Sequence, residues 1–267
     1  MFQLSQRNSL LRTERNNMAE DQNSTKEMRN NLKNCTALVV SFDTTGSMSP
    51  AIKQVRQKLR DLVEMMTADI PDLKVGLIAH GDYCDGDNCI AILDLTNDLE
   101  KIMNFIANAP NTSGGDAPEC YEYALQTAKG MSWPKEGGSL VLIGDDEPHE
   151  QNPNNIDWRK EVAELLEKNV KVFPMQCLHN PHRSRQNKFW EEVSGLSGTP
   201  LLMLESFSDS ANVLEAVAYS AAGDEAYKNY KMRYDAEVAG GLRTCSTSNM
   251  VENQNKLEAY AANIKKE

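Results

Sequence analysis

The chain reads as an α/β protein: a six-stranded, mostly parallel sheet with helices on both faces. Short apolar runs of strand length alternate with stretches of helical spacing from about residue 35 to residue 222. The runs read as strands buried on both faces. Two of them are separated only by the turn DGDN, which makes that pair antiparallel.

CTALVVSF, residues 35–42, is the first strand. Ile52, Val55, Leu59, Leu62, Val63 and Met66 then recur at helical spacing between 50 and 68, and Pro71 stops the helix. KVGLIAH (74–80) and CIAILDL (89–95) are the antiparallel pair. Leu99, Ile102, Met103 and Ile106 mark the next helix; Tyr121, Ala124, Leu125 and Ala128 mark another, opened by GGDAPE. SLVLIG is a strand, Trp158 to Leu166 a helix and VKVFPMQ a strand. Phe189, Trp190, Val193 and Leu196 give a helix that ends at Gly198, TPLLML is the last strand, and Val213, Leu214 and Val217 lie on a final helix.

Two extensions flank this domain of residues 35–222. Residues 1–34 are polar, rich in Asn, Gln and Arg, and are expected to be disordered or loosely helical. Residues 223–267 form a helical tail, with Tyr227, Tyr230, Tyr234 and Val238 roughly on one face and Leu257, Tyr260 and Ile264 on a second, weaker one. Such faces either pack back onto the domain or dock on a partner or a second copy of the chain.

Of the 267 residues, 40% are hydrophobic and 25% charged, ordinary for a globular protein, and no apolar run has the length of a membrane span. The N-terminus lacks the apolar core of a signal peptide, so the expected compartment is the cytoplasm. Residues 35–222 hold 15 basic and 28 acidic side chains, a net of −13, which argues against a nucleic-acid backbone as partner and is compatible with a bound cation. Six cysteines in this length do not make a disulfide scaffold. Cys35, Cys120 and Cys177 sit in or beside apolar runs; Cys84 and Cys89 share the loop YCDGDNC and read as two free thiols in a turn.

In an open parallel sheet, ligands bind beyond the carboxyl ends of the strands. The first strand is followed by SFDTTGSMSP, with Asp43, Thr45 and Ser47; the fourth by GDDEPHE, with Asp145 and Asp146; and NTSGGDAPE supplies Thr112, Ser113 and Asp116. Hard oxygen donors of this kind suit Mg2+, Ca2+ or Mn2+ rather than zinc.

These loops resemble those of the von Willebrand factor A domain and its metal-ion-dependent adhesion site. The family's Asp-x-Ser-x-Ser loop is D-T-T-G-S here, with Thr45 at the first hydroxyl position. VLIGDDEP is similar to the family's VLITDGxP, GGDAPE to a GGxxPE form of the second loop, and HGDYCD to A domains associated with alpha-kinases. The family's threonine position in that second loop falls on Asp116, a departure from its pattern. The resemblance implies a Rossmann-like sheet whose edge strand, near Ile90–Leu95, is antiparallel. It implies a Mg2+ site held by Thr45 and Ser47 directly, by Asp43 and Asp145 directly or through water, and by Asp116, with Ser113 and Asp146 as further candidates. It also implies a non-catalytic module that docks a protein partner at the metal face. With up to four carboxylates at one ion, an anionic partner group would be less welcome than in the rest of the family.

A second chemistry uses similar residues. D-T-T-G-S also looks like the D-K-T-G-T of haloacid dehalogenase-like phosphotransferases, where Asp43 would be the nucleophile. The helical spacing of 50–68, where that family has a β-flap, counts against it. A third alternative keeps the fold, drops the metal and leaves an oligomeric scaffold. His80, His149, His179 and His182 are expected at the surface or capping loops, HNPH being a weak zinc signal alone. Asp82, Asp85 and Asp87 form a weak calcium candidate in what reads as an ordinary hairpin turn.

Overall fold

The computed structural model describes residues 37–48, 60, 63, 73–115, 118–178, 188–204, 210–221, 224–241 and 248–264. The N-terminal extension, Asp116, His179, His182 and, apart from the helical residues Arg60 and Val63, the expected helix over 50–68 lie outside them.

Six strands form one sheet: β1 Ala37–Asp43, β2 Lys74–His80, β3 Ile90–Thr96, β4 Gly138–Gly144, β5 Val170–Cys177 and β6 Leu202–Leu204. Their order is β3-β2-β1-β4-β5-β6, with β3 antiparallel to β2 and every other pairing parallel. The apolar pattern explains who is central. All seven residues of β1 are buried, whereas β3, at the edge, has no fully buried residue. The order in which strands are added reverses at β1 and β4, which lie side by side and parallel, so the loops after them face a common crevice.

Alternation along the strands sends side chains to two cores. Leu38, Val40 and Phe42 of β1 and Val141 and Ile143 of β4 lie in one; Val39, Leu140 and Leu142 lie in the other. The second core is closed by helices α2 Tyr121–Lys129, α3 Trp158–Glu167 and α4 Lys188–Ser197, through Leu125, Val162 and Trp190. Helix α1 Leu99–Asn108 lies on the first, burying Ile102 and Ile106, with its N-terminus capped by Asp98. Helix α5 Ser210–Ala221 covers the same face with Val213, Leu214 and Val217.

The tail continues this face. Helices α6 Asp224–Ala239 and α7 Ser248–Ile264 bury Tyr227, Tyr230, Tyr234, Met250 and Leu257 in the first core. Tyr230 Oη donates to the Asn212 carbonyl at 3.1 Å and Tyr227 Oη to the Gln254 carbonyl at 2.7 Å, so these phenols are satisfied as well as buried. Asn253 completes edge strand β6, donating to the Met203 carbonyl at 2.7 Å and accepting from its N–H at 3.0 Å.

The entry to β4 depends on one glycine. Gly137 has φ 82°, and a Cβ there would fall 2.0 Å from the Asn169 carbonyl oxygen, which is backbone and cannot swing aside. Gly137→Ala therefore combines left-handed strain with overpacking and is expected to cost about 3 kcal/mol. Urea denaturation of wild type and variant measures this directly; a loss under about 1 kcal/mol would show that the turn relaxes.

Candidate metal centre

Asp43 ends β1 and is 1% exposed. Its carboxylate is engaged on both sides. Oδ1 accepts from the Thr45 N–H at 2.8 Å and from Thr45 Oγ1 at 2.7 Å; Oδ2 accepts from Tyr121 Oη at 3.0 Å. This is a tight Asx-type turn, favoured because a short carboxylate reaches the main chain two residues on. It brings Thr45 Oγ1 within 3.2 Å of Ser47 Oγ, on the 3₁₀ turn Gly46–Met48, and Ser47 Oγ donates to Asp145 Oδ1 at 3.2 Å. Asp43, Thr45, Ser47 and Asp145 thus form one continuous chain of oxygens just past β1 and β4.

Tyr121 holds the two acidic loops in register. While donating to Asp43, its Oη accepts from the N–H groups of Asp145 and Asp146, at 3.2 and 3.3 Å. The third loop is fastened by main chain and by Thr44. Gly46 N–H donates to the Ser113 carbonyl at 3.3 Å, Thr112 N–H to the Thr44 carbonyl at 3.0 Å, and the Thr44 and Thr112 hydroxyls lie 2.9 Å apart. Ser113 meets the first loop through that carbonyl, while the residue itself is exposed. Asp146 Oδ1 accepts from the Glu147 N–H at 3.0 Å. Asp116 is among the residues not described.

One acidic group beyond those named from the sequence joins the cluster. Glu119, the last letter of GGDAPE, is 3% exposed and held by a main-chain bridge to Pro148 and a 2.9 Å bond from its N–H to the Glu147 carbonyl. Its Oε2 has no hydrogen-bond partner among the described residues. Burial, reinforced by the Asp43 charge, pushes its carboxyl up to about 10. Burial likewise raises Asp43 to about 7, with the charge on Asp145 adding to it and the bonds from Thr45 opposing it. Burial and the Asp43 charge raise Tyr121 well above the usual phenol range. Among the described residues, neither Asp43 nor Glu119 is paired with a lysine or arginine. The signal for Glu119 lay in the sequence motif itself, but its position there did not reveal that the side chain is buried.

These residues fit a hard divalent cation by donor chemistry: hydroxyl and carboxylate oxygens from separate loops and, among the described residues, a buried Glu119 oxygen without a partner. Among the described residues no three His, Cys, Asp and Glu side chains alone are grouped to hold a metal, so Thr45 and Ser47 are essential members of the set.

Two expectations change. His80 is not a surface histidine: it is fully buried, its Nδ1 lies 3.1 Å from Ser41 Oγ, and burial lowers it to about 3, so it is neutral. The YCDGDNC loop is not a simple hairpin turn but a 3₁₀ segment, Tyr83–Asn88, opened by a capping box between Asp82 and Asp85. Asp82 Oδ1 accepts from the Tyr83 N–H at 2.6 Å and lies 2.7 Å from His149 Nε2. Asp85 accepts from the N–H groups of Asp82, Ser113 and Gly114, at 3.0, 3.0 and 3.4 Å. These carboxylates serve loop structure.

Known proteins share this architecture. The alpha-protein kinase vwkA of Dictyostelium discoideum is 24% identical over 116 residues, 43% of this chain and 19% of that protein, so the chain spans about a fifth of its relative's length. The pilus adhesin SpaC of Lactobacillus rhamnosus GG, in its open conformation, superposes with a TM-score of 0.55 at 13% identity, over 70% of this chain and 30% of the adhesin. Proximal thread matrix protein 1 of the mussel byssus gives 0.50 at 17% identity, over 72% and 48%. The von Willebrand factor A domain family matches residues 37–195, well over half the chain. With that match, the strand order and the antiparallel edge, the chain belongs to the von Willebrand factor A domain family.

Proposed function

We propose that this domain is a non-catalytic interaction module that holds Mg2+ (Ca2+ or Mn2+ by the same chemistry) and docks a protein partner at that face, within a cytoplasmic assembly. Thr45, Ser47, Asp43 and Asp145 would hold the ion, with Glu119 buried beside them and Asp116 and Asp146 nearby in sequence. The observation that carries this is the unbroken oxygen chain Asp43–Thr45–Ser47–Asp145, at 2.7–3.2 Å, beside a buried Glu119 oxygen that lacks a partner among the described residues. A bound ion would supply positive charge that offsets the crowded carboxylates.

The carboxylates of Asp43 and Asp145 already match the charge of one divalent ion. A neutral oxygen, such as a partner's amide or hydroxyl, or a bridging water therefore suits the last position better than a partner's carboxylate. The likeness to vwkA supports an assembly that includes a kinase. No described helix is long and apolar enough to cross a membrane.

A phosphotransferase is less well supported. Both oxygens of Asp43 are engaged by Thr45 and Tyr121, which leaves neither poised as an attacking nucleophile.

Calorimetric titration with Mg2+ tests the ion site. Ser47→Ala deletes one ligand without touching the core and is expected to weaken Mg2+ binding by roughly tenfold or more. Binding unchanged by Ser47→Ala, or no binding to wild type, would overturn the cation site. Co-purification of partners with and without chelator tests docking, which fails if the same proteins co-elute in both.

A further inference from the structure

Beyond the oxygen cluster, the structure places two thiols in contact. Cys89 Sγ and Cys120 Sγ lie 3.1 Å apart, 31 residues apart in sequence, and neither is in a disulfide. They are 5% and 0% exposed. Cys89 closes the Tyr83–Asn88 segment just ahead of β3, and Cys120 immediately precedes α2. Gly81 fixes the backbone of both: its N–H donates to the Cys89 carbonyl at 2.9 Å, and its carbonyl accepts from the Cys120 N–H at 3.2 Å. The Cys120 thiol donates to that same carbonyl at 2.8 Å.

Buried cysteines commonly pack as small hydrophobes. Here the pairing is more specific than that. Two main-chain anchors on one glycine hold sulfurs from separate elements face to face. A disulfide is about 2.05 Å long, so closing the bond requires about 1 Å of travel.

We propose that Cys89 and Cys120 are a reversible dithiol–disulfide pair. A peroxide first oxidises the sulfur of Cys89, the more exposed residue of the two: an S–O bond forms, the O–O bond breaks and water leaves. The Cys120 sulfur then attacks that sulfenic acid; the S–S bond forms, the S–O bond breaks and a second water leaves. Two thiols lose two electrons to one peroxide, and a small-molecule thiol reverses the reaction by exchange. Cys120 lies between Glu119 and Tyr121, so the cross-link pulls on two residues that shape the cation cluster. This consequence rests on the proposed cation site; the cross-link does not.

The full-length chain is treated with hydrogen peroxide, its remaining thiols are alkylated, and its peptides are mapped by mass. The expected product is a Cys89–Cys120 linked peptide, two hydrogens lighter than the reduced pair and lost on addition of dithiothreitol. Cys84→Ser retains it and Cys89→Ser abolishes it. Full alkylation of both cysteines after peroxide, or a Cys84–Cys89 link in its place, overturns the proposal. Because the mapping uses wild type, it does not depend on any variant folding. Mg2+ titration of both redox forms then reads the coupling, with an expected change of about tenfold in affinity. Equal affinities with the cross-link mapped overturn the coupling. Absence of Mg2+ binding in both forms overturns the cation site and leaves the cysteine pair standing.

Discussion

Asp43→Asn is expected to raise the melting temperature of the cation-free chain by roughly 5–10 °C at about pH 8, and to remove stabilisation by Mg2+. The reason is the raised carboxyl. Asp43 titrates at about 7 in the folded chain against 3.8 for the free group. Between those values the folded state holds a proton that the unfolded state has released, so stability falls as pH rises through that window. Above the window the cost reaches roughly 4 kcal/mol. Asparagine carries no charge and escapes it. It also gives up the hydrogen bond from Tyr121 to Oδ2, worth about 1 kcal/mol, which leaves a net gain of roughly 2–3 kcal/mol.

With Mg2+ the order of effects changes. At about a hundred times its dissociation constant the ion adds about 2.7 kcal/mol to wild type and nothing to a variant that cannot hold it. Thermal unfolding of both proteins across pH 4–8, with and without Mg2+, reads every arm. A cation-free wild type whose stability does not fall across that range would show that the Asp43 charge is compensated elsewhere.

Gly144→Ala is expected to destabilise the chain by about 3 kcal/mol and to abolish Mg2+ binding with it. A Cβ at Gly144 would lie 2.0 Å from Tyr121 Oη and 2.6 Å from two ring atoms. Tyr121 cannot step aside, because its fully buried ring is packed against His80, Phe189 and Trp190 at centroid distances of 5.1, 5.5 and 5.3 Å. Displacing it breaks the bridge between Asp43 and the amides of Asp145 and Asp146. A double-mutant cycle isolates this cause. In a Tyr121→Ala background, adding Gly144→Ala should cost at least about 1 kcal/mol less than it does in wild type. Strict additivity would place the damage in β4 itself, not in the tyrosine.

Most of the fold was legible before any coordinates. Strands buried on both faces are apolar along their whole length, as ALVVSFD and SLVLIG are, and helices above them repeat their apolar residues every three or four positions. The antiparallel edge was legible because the turn before β3 leaves no room for a crossover. The hydroxyl and carboxylate motif was legible because its members are close in sequence, on the loop after β1.

Glu119 and Tyr121 show where such local information stops. One closes a recognisable motif and the other lies two residues past it, yet the role of each depends on burial and on partners dozens of residues away: Thr45 and Asp43 for Glu119, Asp43 and Asp145 for Tyr121. His80 departs from the surface expectation for the same reason, since its ring is buried by a fold that brings it against Ser41.

The tail helices carry the same lesson in reverse. Tyr227, Tyr230 and Tyr234 announced an apolar face, but a face alone does not name what covers it; the first core of this same chain does. The sequence by itself determined the alternation of strands and helices and the kind of atoms available at the end of β1, because periodicity and residue chemistry are properties of neighbouring letters. Which carboxylates share that crevice, which sulfurs touch and which histidine loses its proton were decided only by tertiary structure, since burial and electrostatic coupling arise from residues the chain brings together from a distance.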